Sequence, residues 1–312
     1  MTEAADRQVG LPAVSIIIPH LNQPEAARRC LDSLAAQTYP ADRIEIILVD
    51  NGSSESLDWL AREYPRVKLL HEAKPGPGHA RNKGAGAATG AIFVFIDADC
   101  RADSGWVENA VAGLADKAST GVVGGDVRID YVDPARLTPL EAYESVFAYR
   151  QKLYIERRGF SGTGNLAVRR DVFERIGPFG GINIAEDLDW GNRAAARGHP
   201  ARYRSGMIIY HPARTRFVDL EAKWRRHVAH ELADHRERGG SGLAWTARSL
   251  AVLLSAVPHA AKMLGSDRLS GFSDRLSGIG VLGRIRWYRF REMSTQAGQQ
   301  GNAAAEWNRK PG

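Results

Sequence analysis

The stretch Ile92-Phe93-Val94-Phe95-Ile96-Asp97-Ala98-Asp99 constrains the fold of this chain more than any other. An apolar run of strand length stops abruptly at two acids separated by one residue. Runs of this kind suit strands buried on both faces, as in a parallel sheet covered by helices. Side chains alternate along an extended chain, so Asp97 and Asp99 leave the strand end on one side. Two carboxylates so placed can take a hard divalent cation and the phosphate oxygens it carries.

The design recurs upstream. Ile44 to Val49 is a mostly apolar strand ending in Asp50, followed by an Asn51-Gly52 turn and the cap-type residues Ser53 and Ser54. Val14 to Pro19 is an earlier strand, stopped by proline. Between them Ala26, Cys30, Leu31, Leu34 and Ala35 form a helical stripe from Pro24 to Gln37. Val67 to Leu70 reads as a fourth strand and His79 to Ala88 as a small-residue helix. The order β-α-β-α-β-α-β predicts an α/β domain with a mostly parallel central sheet flanked by helices, its acids gathered at the carboxyl edge. Asp50 and Asp97 also admit a plainer reading, as acids that cap the turns after their strands.

Other nucleotide enzymes fit less well. Pro75-Gly76-Pro77-Gly78 is a turn leading into a helix, and no Walker pattern or Gly-x-Gly-x-x-Gly follows a strand, against an ATPase or a dinucleotide enzyme. A sugar-phosphate nucleotidyltransferase normally carries a Gly-rich loop after the first strand, where this chain has Pro19-His20-Leu21-Asn22.

Taken in order, Val14–Pro19, Val49-Asp50-Asn51-Gly52-Ser53, Ala80-Arg81-Asn82-Lys83-Gly84, Asp97-Ala98-Asp99 and Glu186-Asp187 resemble the landmarks of family 2 glycosyltransferases, over roughly residues 14 to 215. The resemblance implies a GT-A fold, a nucleotide-diphosphate sugar donor, Mg²⁺ or Mn²⁺, and inversion at the anomeric carbon. It places Pro19, Asp50, Arg81 and Asp97 against the nucleotide, and Asp99 on the metal with His211 as a further ligand. Asp187 becomes the catalytic base. Gly164, Asn165, Glu186 and Trp190 fall in the diphosphate and acceptor region. An acid at Asp50 accepts the imide N–H of uracil or thymine or the N1–H of guanine, while cytosine has no such ring N–H. UDP-sugars are therefore favoured, with GDP- and TDP-sugars possible. A non-catalytic nucleotide-sugar-binding subunit on the same fold is the alternative, and retention of Asp50, Asp99 and Asp187 argues against it. His20-Leu21-Asn22-Gln23 and Asn51 depart from the common pattern. The absence of a Gln-x-x-Arg-Trp segment favours addition of one sugar over processive polymerisation.

The rest of the chain bears on location and partners. The two cysteines, Cys30 and Cys100, suggest a reducing compartment, and the start lacks the basic and apolar regions of a secretion signal, so the expectation is cytoplasmic. The net charge of +6 comes without a nucleic-acid motif. His227, His230 and His235 do not have the spacing of a zinc protease. The expected layout is a tail over 1–13, the transferase domain over 14–238, a helical extension over 239–294 and a disordered tail over 295–312. Within the extension, the apolar run Ser249–Val257 of 243–264 is too short to span a bilayer, and 279–293 alternates arginine with aromatics over Arg284–Arg291. Both either lie in the interface of an anionic membrane, near a polyprenyl-linked or other glycan acceptor, or pack on protein. Ser266–Gly271 recurs as Ser273–Gly278 and reads as a polar hinge between two helices.

Overall fold

The computed structural model describes residues 10–116, 120–181 and 185–297. Their contacts form two units, one of residues up to 130 and 150–212, the other of 131–149 and everything from 213 onward.

The first unit opens with β1 (Val14–His20), α1 (Pro24–Ala35), β2 (Ile44–Asp50), α2 (Asp58–Glu63), β3 (Val67–His71), α3 (Pro77–Ala87) and β4 (Ile92–Ile96). Next come β5 (Arg101–Ala102), α4 (Trp106–Ala115) and β6 (Val122–Asp130). After α5 (Pro139–Phe147), which belongs to the second unit, the chain returns with α6 (Gln151–Arg158), β7 (Asn165–Arg169), α7 (Arg170–Ile176), α8 (Glu186–Ala196) and β8 (Arg202–Pro212). The strands form one sheet in the order β3-β2-β1-β4-β7-β6-β8-β5. The apolar runs β3, β2, β1 and β4 pair in parallel, as their helix-separated order predicts. Beyond β4 the sheet is mixed: β7 runs antiparallel to β4 and β6, β8 is parallel to β6, and β5 is antiparallel to β8.

One face of the sheet is covered by a core that includes Ile17, Ile47, Phe93, Phe95, Phe173 and Phe179. Close approach of α3 to this face depends on Gly84, where a Cβ would lie 2.5 Å from Ile17 Cγ2. Asn82 pins the same helix by exchanging two hydrogen bonds with the backbone of Phe179.

A break in the ladder is repaired by one side chain. Between Gly125 and Asp126 the register of β6 against β8 jumps from Gly125↔Arg204 to Asp126↔Ile208. Asn165, 0% exposed, donates from Nδ2 to Asp126 O (2.8 Å) and Met207 O (3.0 Å) and accepts from Trp106 Nε1 (2.8 Å). Asn165→Ala strands all three partners in the interior. We expect it to lower unfolding stability by roughly 3 kcal/mol, a shift readable in the urea midpoint.

The second unit is helical. Thr138 opens α5 with a capping box in which its hydroxyl accepts from Glu141 N–H and the Glu141 carboxylate accepts from Thr138 N–H. α9 (Phe217–Glu237), α10 (Gly242–Leu254), α11 (Ala256–Leu264) and α12 (Phe272–Ala297) complete it. Tyr143, Leu220, Met263, Leu282 and Ile285 share one buried cluster, and Val228, Leu232, Trp245 and Met293 another. This grouping differs from the expected boundary near 238. α9 and the inserted α5 are amphipathic toward α12, whose contacts sequence periodicity does not reveal. The repeat differs as well: Ser266–Gly271 forms the connection, but Ser273–Gly278 is the start of α12. Gly278 is needed there because a Cβ would run into Met263 and come within 3.2 Å of Tyr143 N. Residues 295–297 are helical, and the rest of the expected tail, like 1–9, lies outside the described residues.

Candidate active site

In the order β3-β2-β1-β4, connections leave β1 in opposite directions, so the ends of β1 and β4 border the crevice where α/β sheets take ligands. Pairing of β1 with β4 ends at Ile17↔Phe95, whereas β1 follows β2 to His20↔Asp50. Pro19 lies in the opened stretch, where a missing N–H breaks no bond to β4.

Asp50, at the end of β2, is held from several sides. Its Oδ1 accepts the Ser53 N–H (3.1 Å), and His20 Nδ1 and His71 Nδ1 lie 3.6 Å and 3.4 Å from its two oxygens. Burial works against its charge, but the Ser53 and His71 hydrogen bonds and nearby His20 outweigh it, and its carboxyl sits below the usual range. Burial also lowers His20, against the pull of Asp50. Nε2 of this neutral ring accepts from Gln23 N–H (3.3 Å), which puts the proton on Nδ1, toward Asp50 and the Ser53 hydroxyl (3.2 Å). The sequence reading passed over His20 as a departure from pattern; its place at the end of an apolar strand beside Asp50 was the available signal.

Arg81, from the first turns of α3, is nearly buried. One of its amino groups donates to Asp97 Oδ1 (2.6 Å) and the other to Glu186 Oε1 (3.0 Å). The fork thus ties the end of β4 to the start of α8. Arg81, expected at the nucleotide, bridges two carboxylates in this structure. Gly164 lies against the same group: a Cβ there would fall 2.5 Å from Asp97 Oδ2.

Asp99 meets His211 through sheet register. The antiparallel pair Arg101↔Tyr210 draws the residue before β5 alongside the end of β8, and His211 Nε2 lies 3.5 Å from Asp99 Oδ2. His211 Nδ1 is 2.7 Å from Pro212 O, an acceptor only, so Nδ1 carries a proton and Nε2 is the nitrogen that faces the carboxylate. Cys100 Sγ completes a cluster whose ligand atoms lie within 4.8 Å of one another. Burial, with Asp97 and Asp99 nearby, pushes that thiol well up, so it stays protonated and donates to Asp99 Oδ1 (3.6 Å). A carboxylate oxygen and an imidazole nitrogen with no thiolate fit Mn²⁺ or Mg²⁺, and leave coordination positions for phosphate oxygens.

The three acids of α8 divide their work. Asp189 pairs with Arg193 (3.0 Å), an ordinary i,i+4 contact, and Glu186 is held by Arg81. Asp187 is half-buried, its Oδ1 accepting the Leu188 N–H (2.8 Å). Burial raises its carboxyl, Glu186 adds to the rise, and Arg81 offsets part of it. A carboxylate destabilised in this way is a better proton acceptor. Two expected site residues have buried side chains. Asn165 has its hydrogen bonds committed to the ladder repair, and Trp190 is buried on Phe173 and Phe179 with Nε1 donating to Gly177 O (2.9 Å). Neither has surface to offer a ligand.

The sequence matches the family described as glycosyl transferase family 2 over residues 15–177. It is 36% identical over 212 residues to glycosyltransferase AglE of Haloferax volcanii, spanning 65% of this chain and 68% of AglE. Mannosyltransferase PcManGT from Pyrobaculum calidifontis, solved with GDP-Man and Mn²⁺, has a TM-score of 0.55 at 20% identity, over 97% of this chain and 84% of its own. GalNAc-T7, solved with UDP, GalNAc and Mn²⁺, has a TM-score of 0.51 at 20% identity, over 66% of this chain and 44% of its own. Those two likenesses concern the fold.

Proposed function

The chain belongs to glycosyl transferase family 2 and is a glycosyltransferase of GT-A fold, and from that premise we propose that it moves one sugar from a nucleotide-diphosphate sugar to a hydroxyl of a glycan or lipid-linked glycan, with inversion. The observation that carries this reading is the approach of a carboxylate and an imidazole, Asp99 Oδ2 and His211 Nε2, to 3.5 Å. A carboxylate oxygen and an imidazole nitrogen at that separation are donor atoms that one Mn²⁺ or Mg²⁺ ion can take together.

Asp50, kept ionised, accepts a ring N–H of the base, which selects uracil, thymine or guanine over cytosine. The GDP-Man and UDP bound by the two structural neighbours fall within that set. Asp99 and His211 would hold Mg²⁺ or Mn²⁺, which supplies positive charge to the departing diphosphate. Asp97, fixed by Arg81, would face the ribose. Asp187 takes the proton from the acceptor hydroxyl as its oxygen attacks the anomeric carbon. A single displacement of this kind needs no enzyme nucleophile and inverts configuration. A role in cell-surface polysaccharide or glycolipid synthesis, on the cytoplasmic side of the membrane, follows from an acceptor of that class.

The test needs no knowledge of the acceptor. With α-linked UDP-, GDP- and TDP-sugars and Mn²⁺, proton NMR follows the sugar released to water or to added glycans. Release of the β anomer from one donor is expected. Initial release of the α anomer would overturn the inverting reading, and no turnover of any donor would overturn the catalytic one.

A further inference from the structure

We propose that α10 and α11 form an in-plane docking face for an anionic lipid bilayer, an interaction that stands apart from the transferase chemistry. Leu243, Leu250, Leu254, Val257 and Leu264 are 81%, 46%, 69%, 74% and 43% exposed. Their spacings of seven, four, three and seven residues place them on one helical stripe. The turn carries across the junction, since Ser255 N–H donates to Ala251 O (2.9 Å) and His259 N–H to Ser255 O (3.2 Å). Leu243, Leu250 and Leu254 thus line α10, and Val257 and Leu264 line α11 just beyond the turn at Ser255.

The opposite face is already used. Trp245 packs with Val228, Leu232 and Met293, and Met263 with Tyr143 and Leu282. A helix pair fastened along its length by one face presents only the other, which suits lying in a lipid interface. No helix among the described residues is long and apolar enough to cross a membrane.

Charge selects the occupant. Residues 242–264 contain no Asp or Glu and carry two cations, Lys262 and Arg248, the latter also paired with Glu231 (2.9 Å). Anionic headgroups complement such a surface. A second copy of this chain would set the same cations against themselves, and an exposed apolar stripe of this length on a monomer calls for some cover.

The experiment is co-sedimentation of the full chain with phosphatidylcholine vesicles, with and without phosphatidylglycerol, at low and high salt. The double variant Leu250→Asp, Leu254→Asp is run in parallel, and its thermal melt checks that these exposed positions leave the fold intact. Wild type should sediment with the anionic vesicles and be released by salt, and the variant should bind at least ~10-fold more weakly. Hydrolysis of soluble donor should be the same in both proteins. Failure of the wild type to bind anionic vesicles overturns the proposal, as does equal binding by the folded variant. A concentration-dependent dimer abolished by the variant, without vesicle binding, would assign the stripe to self-association instead.

Discussion

Asp187→Asn is expected to lower kcat by on the order of a thousandfold while leaving the Kd for the nucleotide diphosphate within about threefold of wild type. The amide keeps the shape of the side chain and its bond from Leu188 N–H, so the first turn of α8 should persist. What disappears is the ability to accept a proton. The pH profile supplies a second signature. Burial raises the Asp187 carboxyl above the usual carboxylate range. Activity requires the ionised form, so wild-type kcat should be level at neutral pH and fall as pH drops through that raised value. The acid limb thus lies higher than a solvated aspartate would give, and Asp187→Asn should remove it. Steady-state kinetics across pH with a saturating donor reads both. A variant that keeps the limb and most of kcat would move the base to another residue.

The second large effect should come from Arg81. Its fork joins Asp97 on the donor side to Glu186, the neighbour of the base, and its Nε is buried without a partner. Arg81→Met leaves two carboxylates facing each other without their cation. Both reach some water, which tempers the loss to about 2 kcal/mol of stability. The effect on turnover should be greater, with kcat/KM falling roughly a hundredfold, because both Asp97 and the start of α8 lose their anchor. Arg81→Lys should recover little, since an ammonium cannot span two carboxylates in the planar geometry of a guanidinium. Arg81 touches no reacting atom in this scheme. It is a positioning residue, and its loss should lower kcat and, by removing the cation that offsets part of the rise in Asp187, move the acid limb to higher pH. A variant with normal kcat and a weakened donor Kd alone would instead return Arg81 to the nucleotide contacts expected from sequence.

The parallel half of the sheet and its acids were legible because strands buried on both faces leave continuous apolar runs, and their ends stand out against them. Asp50, Asp97 and Asp99 were picked out this way, and in the structure they stand at the ends of β2 and β4. What sequence missed depends on contacts between distant segments. β5 is two residues long, too short for any period, yet its register against β8 sets Asp99 beside His211. Asn165 and Trp190 sit next to motif residues in the chain, but only the ladder break and the aromatic cluster show that their polar atoms are committed inside the protein. Arg81 reads from sequence as a nucleotide contact, and its two carboxylate partners, one of them 105 residues away, are visible only in the fold. The grouping of α5 with the C-terminal helices likewise rests on packing across long sequence separations.

The most direct test of the account is calorimetric titration of the protein with UDP, GDP, TDP and CDP, each with and without Mn²⁺, for wild type, Asp99→Ala and His211→Ala. The account predicts Mn²⁺-dependent binding of UDP, GDP or TDP in preference to CDP, weakened by on the order of a hundredfold in Asp99→Ala and less in His211→Ala. Diphosphate binding that is indifferent to Mn²⁺ and to Asp99 would contradict the cation site on which the account turns.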